Sequence, residues 1–461
     1  MMNEYIFREY DIRGSVPRDL TPELVTGLGR ALGTFFIRNN AHIMVLGRDC
    51  RLSSPDVRDQ LVKGLVETGM QVIDIGVCHT PLVYFSLFQL GQSAGVMITG
   101  SHNPPEYNGF KVCLGKATIH GEQIQQLKNL LLQGDFEIGS GACEKRNMLP
   151  VYLDYLADSI CVERPLKVVI DAGNGTGGQV AVPLLERLGC EVINLYCEMD
   201  GHFPHHHPDP TVLDNLRDLI DEVRKTRADV GISYDGDADR IGVVDDQGSI
   251  IRGDHLLLIF ARSILEEIPG ATFISEVKGS QVLYQEIERL GGRAVMWKTG
   301  HSLIKAKMLE EQALAAGEMS GHMFFAHRYF GFDDAVYATC RLLEIISRSP
   351  APASALLDGI PPTCATPEIR LECPDHSKFA VVEQVKDTLR GRYPLNDIDG
   401  ARFDMPGGWA LVRASNTQPA LVLRFEALTT ERLDEIRGEI ETLVYGLLAL
   451  LPQAHMPATN V

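Results

Sequence analysis

Three glycines constrain the fold of this chain more than any other feature. Each closes a helix-like stretch and opens a β-branched one. The passages are Leu65-Val66-Glu67-Thr68-Gly69-Met70-Gln71-Val72-Ile73, Leu185-Glu186-Arg187-Leu188-Gly189-Cys190-Glu191-Val192-Ile193 and Ile287-Glu288-Arg289-Leu290-Gly291-Gly292-Arg293-Ala294-Val295. A left-handed residue just past a helix end is cheap only for glycine, so each passage predicts a helix, its cap and then a strand. The passages recur about one hundred residues apart, too far for a solenoid and suited to three similar domains. Simple reuse of a common α/β junction would give the same pattern.

Other segments agree with three α/β units. A helical pattern at 55–68 alternates with short apolar strands at 43–46, 167–170, 230–233 and 272–275. Such alternation implies mainly parallel sheets covered on both faces. Residues 349–367 are rich in Pro, Ala and Ser and read as a linker. Beyond them a strand at 368–372, a helix at 378–389, strands at 409–412 and 420–425 and a final helix from 431 predict a smaller α+β domain. A further boundary is expected near 147–150.

The 461 residues carry a formal charge of −18, which disfavours nucleic acid and anionic membranes as partners. An acidic enzyme acting on an anionic substrate would need a local basic site. The start of the chain shows no basic, apolar leader, and the apolar run at 443–451 is too short to span a bilayer. Ten cysteines without a CxxC pair read as reduced thiols and predict a cytoplasmic location.

Ligands of open α/β sheets bind beyond the carboxyl ends of strands, and three polar loops fit such a place, while a fourth lies between two strands of the last domain. In Thr99-Gly100-Ser101-His102-Asn103-Pro104, Ser101 is expected at an exposed strand end, with His102 beside it and Lys111 ten residues on. Its hydroxyl can act as a nucleophile or carry a phosphoryl group, or merely satisfy its own turn. In Tyr234-Asp235-Gly236-Asp237-Ala238-Asp239-Arg240, three alternating carboxylates repel one another unless a cation lies between them. Arg240 stands where a calcium-binding EF-hand loop needs glycine, and strands flank the loop. Mg²⁺ with a phosphate ligand is the better fit, a solvated acidic turn the alternative. Arg240 itself suits phosphate. The β-carbon of Ala238 predicts an ordinary negative φ there.

In Gly317-Glu318-Met319-Ser320-Gly321-His322, Glu318 and Ser320 offer hydrogen bonds to a polyol, and His301 precedes a helix. Arg413-Ala414-Ser415-Asn416-Thr417 is a phosphate cradle or a plain turn. The run Gly173-Asn174-Gly175-Thr176-Gly177-Gly178 matches GxGxxG, with Glu191 or Glu198 about 20 residues on as a ribose ligand. It keeps open an NAD-dependent oxidoreductase, although no neighbouring residue suggests hydride chemistry and simple helix-start glycines are the better fit. A non-catalytic sugar-phosphate binding protein is a further alternative.

Taken in order, these loops resemble those of the α-D-phosphohexomutase superfamily, and most closely its bacterial phosphomannomutase/phosphoglucomutase branch. The resemblance begins at Phe7-Arg8-Glu9-Tyr10-Asp11-Ile12-Arg13-Gly14 and covers essentially the whole chain. It implies three similar α/β domains with mixed sheets plus a C-terminal α+β domain around a central cleft, at 1–147, 148–249, 250–361 and 362–461. It implies reversible transfer between the 1- and 6-positions of mannose and glucose phosphates through phosphoserine and a hexose 1,6-bisphosphate, in a monomeric enzyme. Ser101 would carry the phosphoryl group and, with Asp235, Asp237 and Asp239, hold Mg²⁺. Glu318, Met319, Ser320, Gly321 and His322 would bind the sugar; Arg413, Ala414, Ser415, Asn416 and Thr417 would bind phosphate. Tyr10, Arg13, Lys111, Arg240, Lys278 and His301 would line the cleft, with Arg13 catalytic and Lys111 or His322 moving the proton. Met319 favours mannose and glucose over glucosamine, whose mutase is the alternative.

Overall fold

The computed structural model describes residues 3–416 and 418–451. The three glycines close their helices as expected, with φ of 98°, 85° and 82° at Gly69, Gly189 and Gly291. In each case the next amide reaches back five positions: Met70 to the Leu65 carbonyl, Cys190 to Leu185 and Gly292 to Ile287. The chain then enters the strands Gln71–Val77, Glu191–Leu195 and Arg293–Trp297. One capping geometry therefore recurs three times, and only glycine adopts it without strain.

The chain divides into two compact units, residues 1–296 with 300–359, and residues 297–299 with 360–461. The first sheet runs in the order Ile12–Ser15, Tyr107–Leu114, Ala94–Ile98, Ile43–Arg48, Gln71–Val77 and Ala142–Lys145, with Ala117–Thr118 beside Tyr107–Leu114. The second runs Ile250–Ile251, Ile241–Asp245, Val230–Tyr234, Lys167–Asp171 and Glu191–Leu195. The third runs Arg293–Trp297, Thr272–Glu276, Ala315–Gly317, Met323–Phe325 and Phe332–Asp333. In the first sheet, Ile12, Leu46, Val96 and Phe110 are buried with the helix residues Leu28, Leu32, Leu61 and Leu65. Each such side chain contributes roughly 1.5–3 kcal/mol by leaving water.

The sheets are mixed rather than mainly parallel. Ala94–Ile98, Val230–Tyr234 and Ala315–Gly317 each pair in parallel on one side, with Ile43–Arg48, Lys167–Asp171 and Thr272–Glu276. On the other side each pairs antiparallel with the strand that follows it in sequence. The candidate loops at 99–106, 235–240 and 318–322 are therefore equivalent return connections. Behind each lies the loop leaving the parallel neighbour, at the same sheet edge.

In the second unit, Cys364–Ala365, Ile369–Glu372, Leu395–Asn396, Ala401–Met405, Gly408–Ala414 and Ala420–Ala427 form an antiparallel sheet. Val381 and Val385 from the helix Lys378–Leu389, and Ile436 and Ile440 from Thr430–Ala449, are buried against Phe403 and Leu423. The expected α+β domain is present. The segment read as a linker at 349–367 contains a 3-10 turn, Ala353–Leu357, and the edge strand Cys364–Ala365. Among the described residues, no helix is long and apolar enough to cross a membrane.

Candidate active site

The return from Ala94–Ile98 to Tyr107–Leu114 holds Ser101 with φ of 48°, a left-handed conformation that costs a non-glycine residue about 1 kcal/mol or more. Its amide donates to Thr99 Oγ1 at 2.8 Å. Its hydroxyl donates to Asp235 Oδ2 at 2.8 Å and lies 3.1 Å from His102 Nδ1. Ser101 is not at an exposed strand end as expected from sequence, but 1% exposed. The acidic loop covers it: a β-carbon on Gly236 would stand 2.6 Å from the Ser101 carbonyl.

Asp235, Asp237 and Asp239 are fully buried and offer oxygens within 4.8 Å of one another. Asp235 Oδ1 accepts from the amides of Asp239 and Arg240 at 3.2 and 3.1 Å. Asp237 Oδ2 accepts from Thr80 Oγ1 at 2.5 Å and Lys111 Nζ at 2.7 Å, and Lys111 also binds Asp239 Oδ2. Burial, reinforced by the charges of Asp237 and Asp239, pushes the Asp235 carboxyl well above its usual range. For Asp237 burial acts upward too, but the charge and hydrogen bond of Lys111 and the Thr80 hydroxyl outweigh it and hold the carboxyl low. Burial disfavours the Lys111 cation, yet Asp237, Asp239 and Asp235 together raise its pKa above the ordinary lysine value. Asp237 Oδ1 and Asp239 Oδ1 are buried without a hydrogen-bond partner. Two orphaned hard oxygens beside a third carboxylate fit a divalent cation of the Mg²⁺ type.

Ala238 departs from the sequence expectation. Its φ is 50°, not negative. The Ala238 amide donates to the Asp235 carbonyl at 3.1 Å and the Asp235 amide to the Arg240 carbonyl at 3.3 Å, so the loop closes on itself within six residues. The tight turn imposes the left-handed residue, and the methyl is accommodated at a conformational cost.

The acidic loop meets the loop at 317–322 directly. The Ile241 amide donates to the Gly321 carbonyl at 3.0 Å, and Gly321, with φ of 93°, has no room for a β-carbon, which would lie 2.4 Å from the Ile241 carbonyl. Arg240 Nε donates to His322 Nε2 at 3.0 Å. That nitrogen must accept, so the ring proton belongs on Nδ1, which faces Asp333 Oδ2 at 3.0 Å and Asp239 Oδ1 at 3.7 Å. Asp239, His322 and Asp333 also have metal-ligand spacing, but a protonated Nδ1 is no ligand. His301 stacks on His322 with ring centroids 5.6 Å apart and presents itself to the edge of Tyr10 at 6.3 Å. Burial, aided by Lys305, drives the His301 pKa well down.

Glu318 Oε1 accepts from the Gly300 amide at 2.6 Å, and burial next to Glu276 raises its pKa. Glu276 accepts the Met319 amide at 2.7 Å and lies 3.4 Å from Lys278. Ser320 is partly exposed beside them. Arg13 Nε donates to Asp11 at 2.6 Å and its NH1 to Asn103 Oδ1 at 3.0 Å, which ties it to the serine loop. The first unit thus gathers Ser101, the three aspartates, Lys111, Arg13, Arg240, Tyr10, His301, Glu318, Lys278 and His322 along connected loops.

In the second unit, Arg413 at the end of Gly408–Ala414 donates to Asp399 at 2.6 Å. Ala414 is buried, the Ser415 amide donates to the Ala420 carbonyl at 2.9 Å, Asn416 is half-buried, and Thr417 lies outside the described residues. The glycine run at 173–178 has a packing role: a β-carbon on Gly175 would strike the Gly236 backbone at 2.7 Å, and one on Gly177 the Tyr234 ring at 2.8 Å. Thr80 and Asp333 belong to no loop motif. Thr80 opens the helix Thr80–Gln89, which brings hydroxyl and helix start together at Asp237. Only a Thr-Pro helix-start signal at 80–81 marks it in the sequence.

Profiles described as phosphoglucomutase/phosphomannomutase alpha/beta/alpha domains I, II and III match residues 4–137, 150–248 and 252–364, and the family's C-terminal domain matches 368–443. A phosphomannomutase/phosphoglucomutase of Pseudomonas aeruginosa is 48% identical over 448 residues, covering 97% of each chain. A phosphoglucomutase of Neisseria gonorrhoeae is 43% identical over 444 residues, covering 95% of this chain and 96% of that one. The crystal structure of a phosphoglucomutase/phosphomannomutase family protein from Burkholderia thailandensis superposes with a TM-score of 0.91 at 40% identity, over 99% of this chain and 100% of that one. Four polar loops in order, a threefold repeated sheet and matches along nearly the whole length agree: the chain belongs to the phosphoglucomutase/phosphomannomutase family.

Proposed function

We propose that the protein reversibly moves a phosphoryl group between the 1- and 6-positions of hexose phosphates, with mannose and glucose phosphates as substrates. The observation that carries this reading is the Ser101 hydroxyl 2.8 Å from Asp235, within a carboxylate cluster that keeps two orphaned oxygens. Ser101, once phosphorylated, gives its phosphoryl group to a sugar hydroxyl: the serine O–P bond breaks, the sugar O–P bond forms, the hydroxyl proton passes to a base, and the serine oxygen takes up a proton from an acid and is a hydroxyl again. The product is a hexose 1,6-bisphosphate. After it turns over, the other phosphate returns a phosphoryl group to Ser101.

Asp235, Asp237, Asp239 and an oxygen of the phosphorylated Ser101 would hold Mg²⁺, whose charge, when bound, would offset that of the transferring group. Lys111, a cation between Asp237 and Asp239, can give a proton to the leaving serine oxygen, and His322 can take the hydroxyl proton once its Nε2 lets go of Arg240; Arg13 and Arg240 add positive charge near the serine. Glu318, Met319, Ser320 and Gly321 bind sugar hydroxyls; Tyr10, Lys278 and His301 complete the lining. Arg413, Ala414, Ser415, Asn416 and Thr417 grip the phosphate that stays attached. Arginine suits that task because its planar fork pairs with two phosphate oxygens.

Ser101→Ala tests the reading. Turnover should fall at least about a thousandfold, as when a covalent carrier is removed, and intact mass should lose one phosphate, about 80 Da. Persistence of the phosphate would place the carrier elsewhere. A panel of mannose, glucose and glucosamine phosphates with catalytic hexose bisphosphate reads the sugar preference, and turnover confined to glucosamine phosphate would reassign the substrate.

A further inference from the structure

The loop behind the serine carries a residue with no place in the chemistry above. Arg51, in Gly47-Arg48-Asp49-Cys50-Arg51, lies just past the strand Ile43–Arg48 and has a fully buried side chain. All five of its N–H groups are engaged. NH2 donates to the carbonyls of Ser101 and Asn103 at 2.7 and 2.6 Å, and NH1 to those of Pro104 and Tyr107 at 2.5 and 3.0 Å. Nε donates to Asp49 Oδ2 at 3.1 Å, an oxygen that also accepts the Gly100 amide at 3.1 Å. The guanidinium is enclosed on its faces as well. A β-carbon on Gly100 would stand 2.5 Å from Arg51 Cζ, and the Phe203 ring centroid lies 5.2 Å away.

We infer that Arg51 is the positioning residue of the phosphoryl-transfer serine, holding the loop in register through each transfer without touching substrate. Four carbonyls that point to one place repel one another unless donors converge there, and only a planar fork of five N–H groups can serve four of them and a carboxylate at once. The Ser101 carbonyl is gripped by this fork where the residue is held left-handed, a conformation that relaxes if the grip is lost. Misplacement by about 1 Å costs on the order of a hundredfold in transfer rate. A loop that gains and loses a dianion in every turnover therefore needs a brace that is itself immobile. This inference rests on the reading of Ser101 as carrier.

Two variants test it. Arg51→Lys keeps the charge but leaves at most three donors; Gly100→Ala keeps every polar group but displaces the guanidinium. For the full-length folded protein, kcat, KM and the phosphate on Ser101 by intact mass are measured, together with the rate at which the phosphorylated enzyme reacts with added glucose 1-phosphate. Both variants are expected to take up phosphate, to transfer it at least tenfold more slowly, and to keep KM within twofold. A merely structural arginine would lower the folded yield and leave kcat per folded molecule alone. Turnover within twofold of wild type in either folded variant would overturn the inference, and Gly100→Ala decides if Arg51→Lys does not fold. A wild type without phosphate on Ser101 would instead overturn the carrier reading, and this inference with it.

Discussion

The serine loop and the acidic loop occupy equivalent turns of related sheets, yet they are braced from behind in opposite ways. Behind Ser101 stands a buried guanidinium with five partners. Behind the aspartates stands a run of glycines that touches backbone with backbone, Gly175 against Gly236. The serine loop turns four carbonyls to the rear, so it needs a cation there. In the acidic loop the rear contact is the Gly236 carbonyl, which accepts the Thr176 amide at 3.1 Å and the Thr176 hydroxyl at 3.2 Å. Its cations come from the front, where Lys111 bridges Asp237 and Asp239. One scaffold position thus takes two kinds of brace because the polarity of the loop, not the fold, sets what must lie behind it.

The comparison breaks first at Asp237. Asp237→Asn should lower kcat at least about a hundredfold, the scale expected when a site loses a charged ligand, while the melting temperature moves little, since Lys111 keeps Asp239 as a partner. Normal turnover in a coupled assay would show that the acidic loop is not the cation site. Gly236→Ala should be the next largest effect. Its β-carbon would meet the Ser101 carbonyl at 2.6 Å, so urea unfolding should register a loss of about 1–3 kcal/mol from overpacking. Full stability would mean that the two loops are not in tight contact.

Smaller changes sharpen the contrast. Thr80→Val removes the 2.5 Å hydrogen bond to Asp237 and should weaken divalent-metal affinity about tenfold, as loss of an outer-shell partner does; Mn²⁺ titration followed by electron paramagnetic resonance reads this, and unchanged affinity would count against the role. Ala238→Gly should stabilise the protein by about 1 kcal/mol by relieving the left-handed alanine. A loss of stability in urea would mean that the methyl's packing outweighs the strain.

Much of the candidate site was legible because its parts are local. Strand followed by Thr-Gly-Ser, alternating aspartates after a strand, and paired glycines around Glu318 and Ser320 each signal a polar return connection within ten residues. Arg51 and Asp333 were not legible, because neither follows a pattern and each matters only through what the fold brings to it. Ala238 misled for a related reason: its own β-carbon argued for negative φ, while hydrogen bonds closing the 235–240 turn required the opposite.

The sequence by itself determined the three capped helix–strand junctions, since a left-handed glycine is a property of one residue and its neighbours. It also determined which residue types could do phosphoryl chemistry. Only the tertiary structure decided that Ser101 meets Asp235, 134 positions away, that Lys111 meets Asp237, 126 away, and that Arg240 fixes the tautomer of His322, 82 away. Those pairings arise from packing and burial across separate sheets, where an unpartnered charge or carbonyl is too costly to leave alone, and no local propensity encodes them.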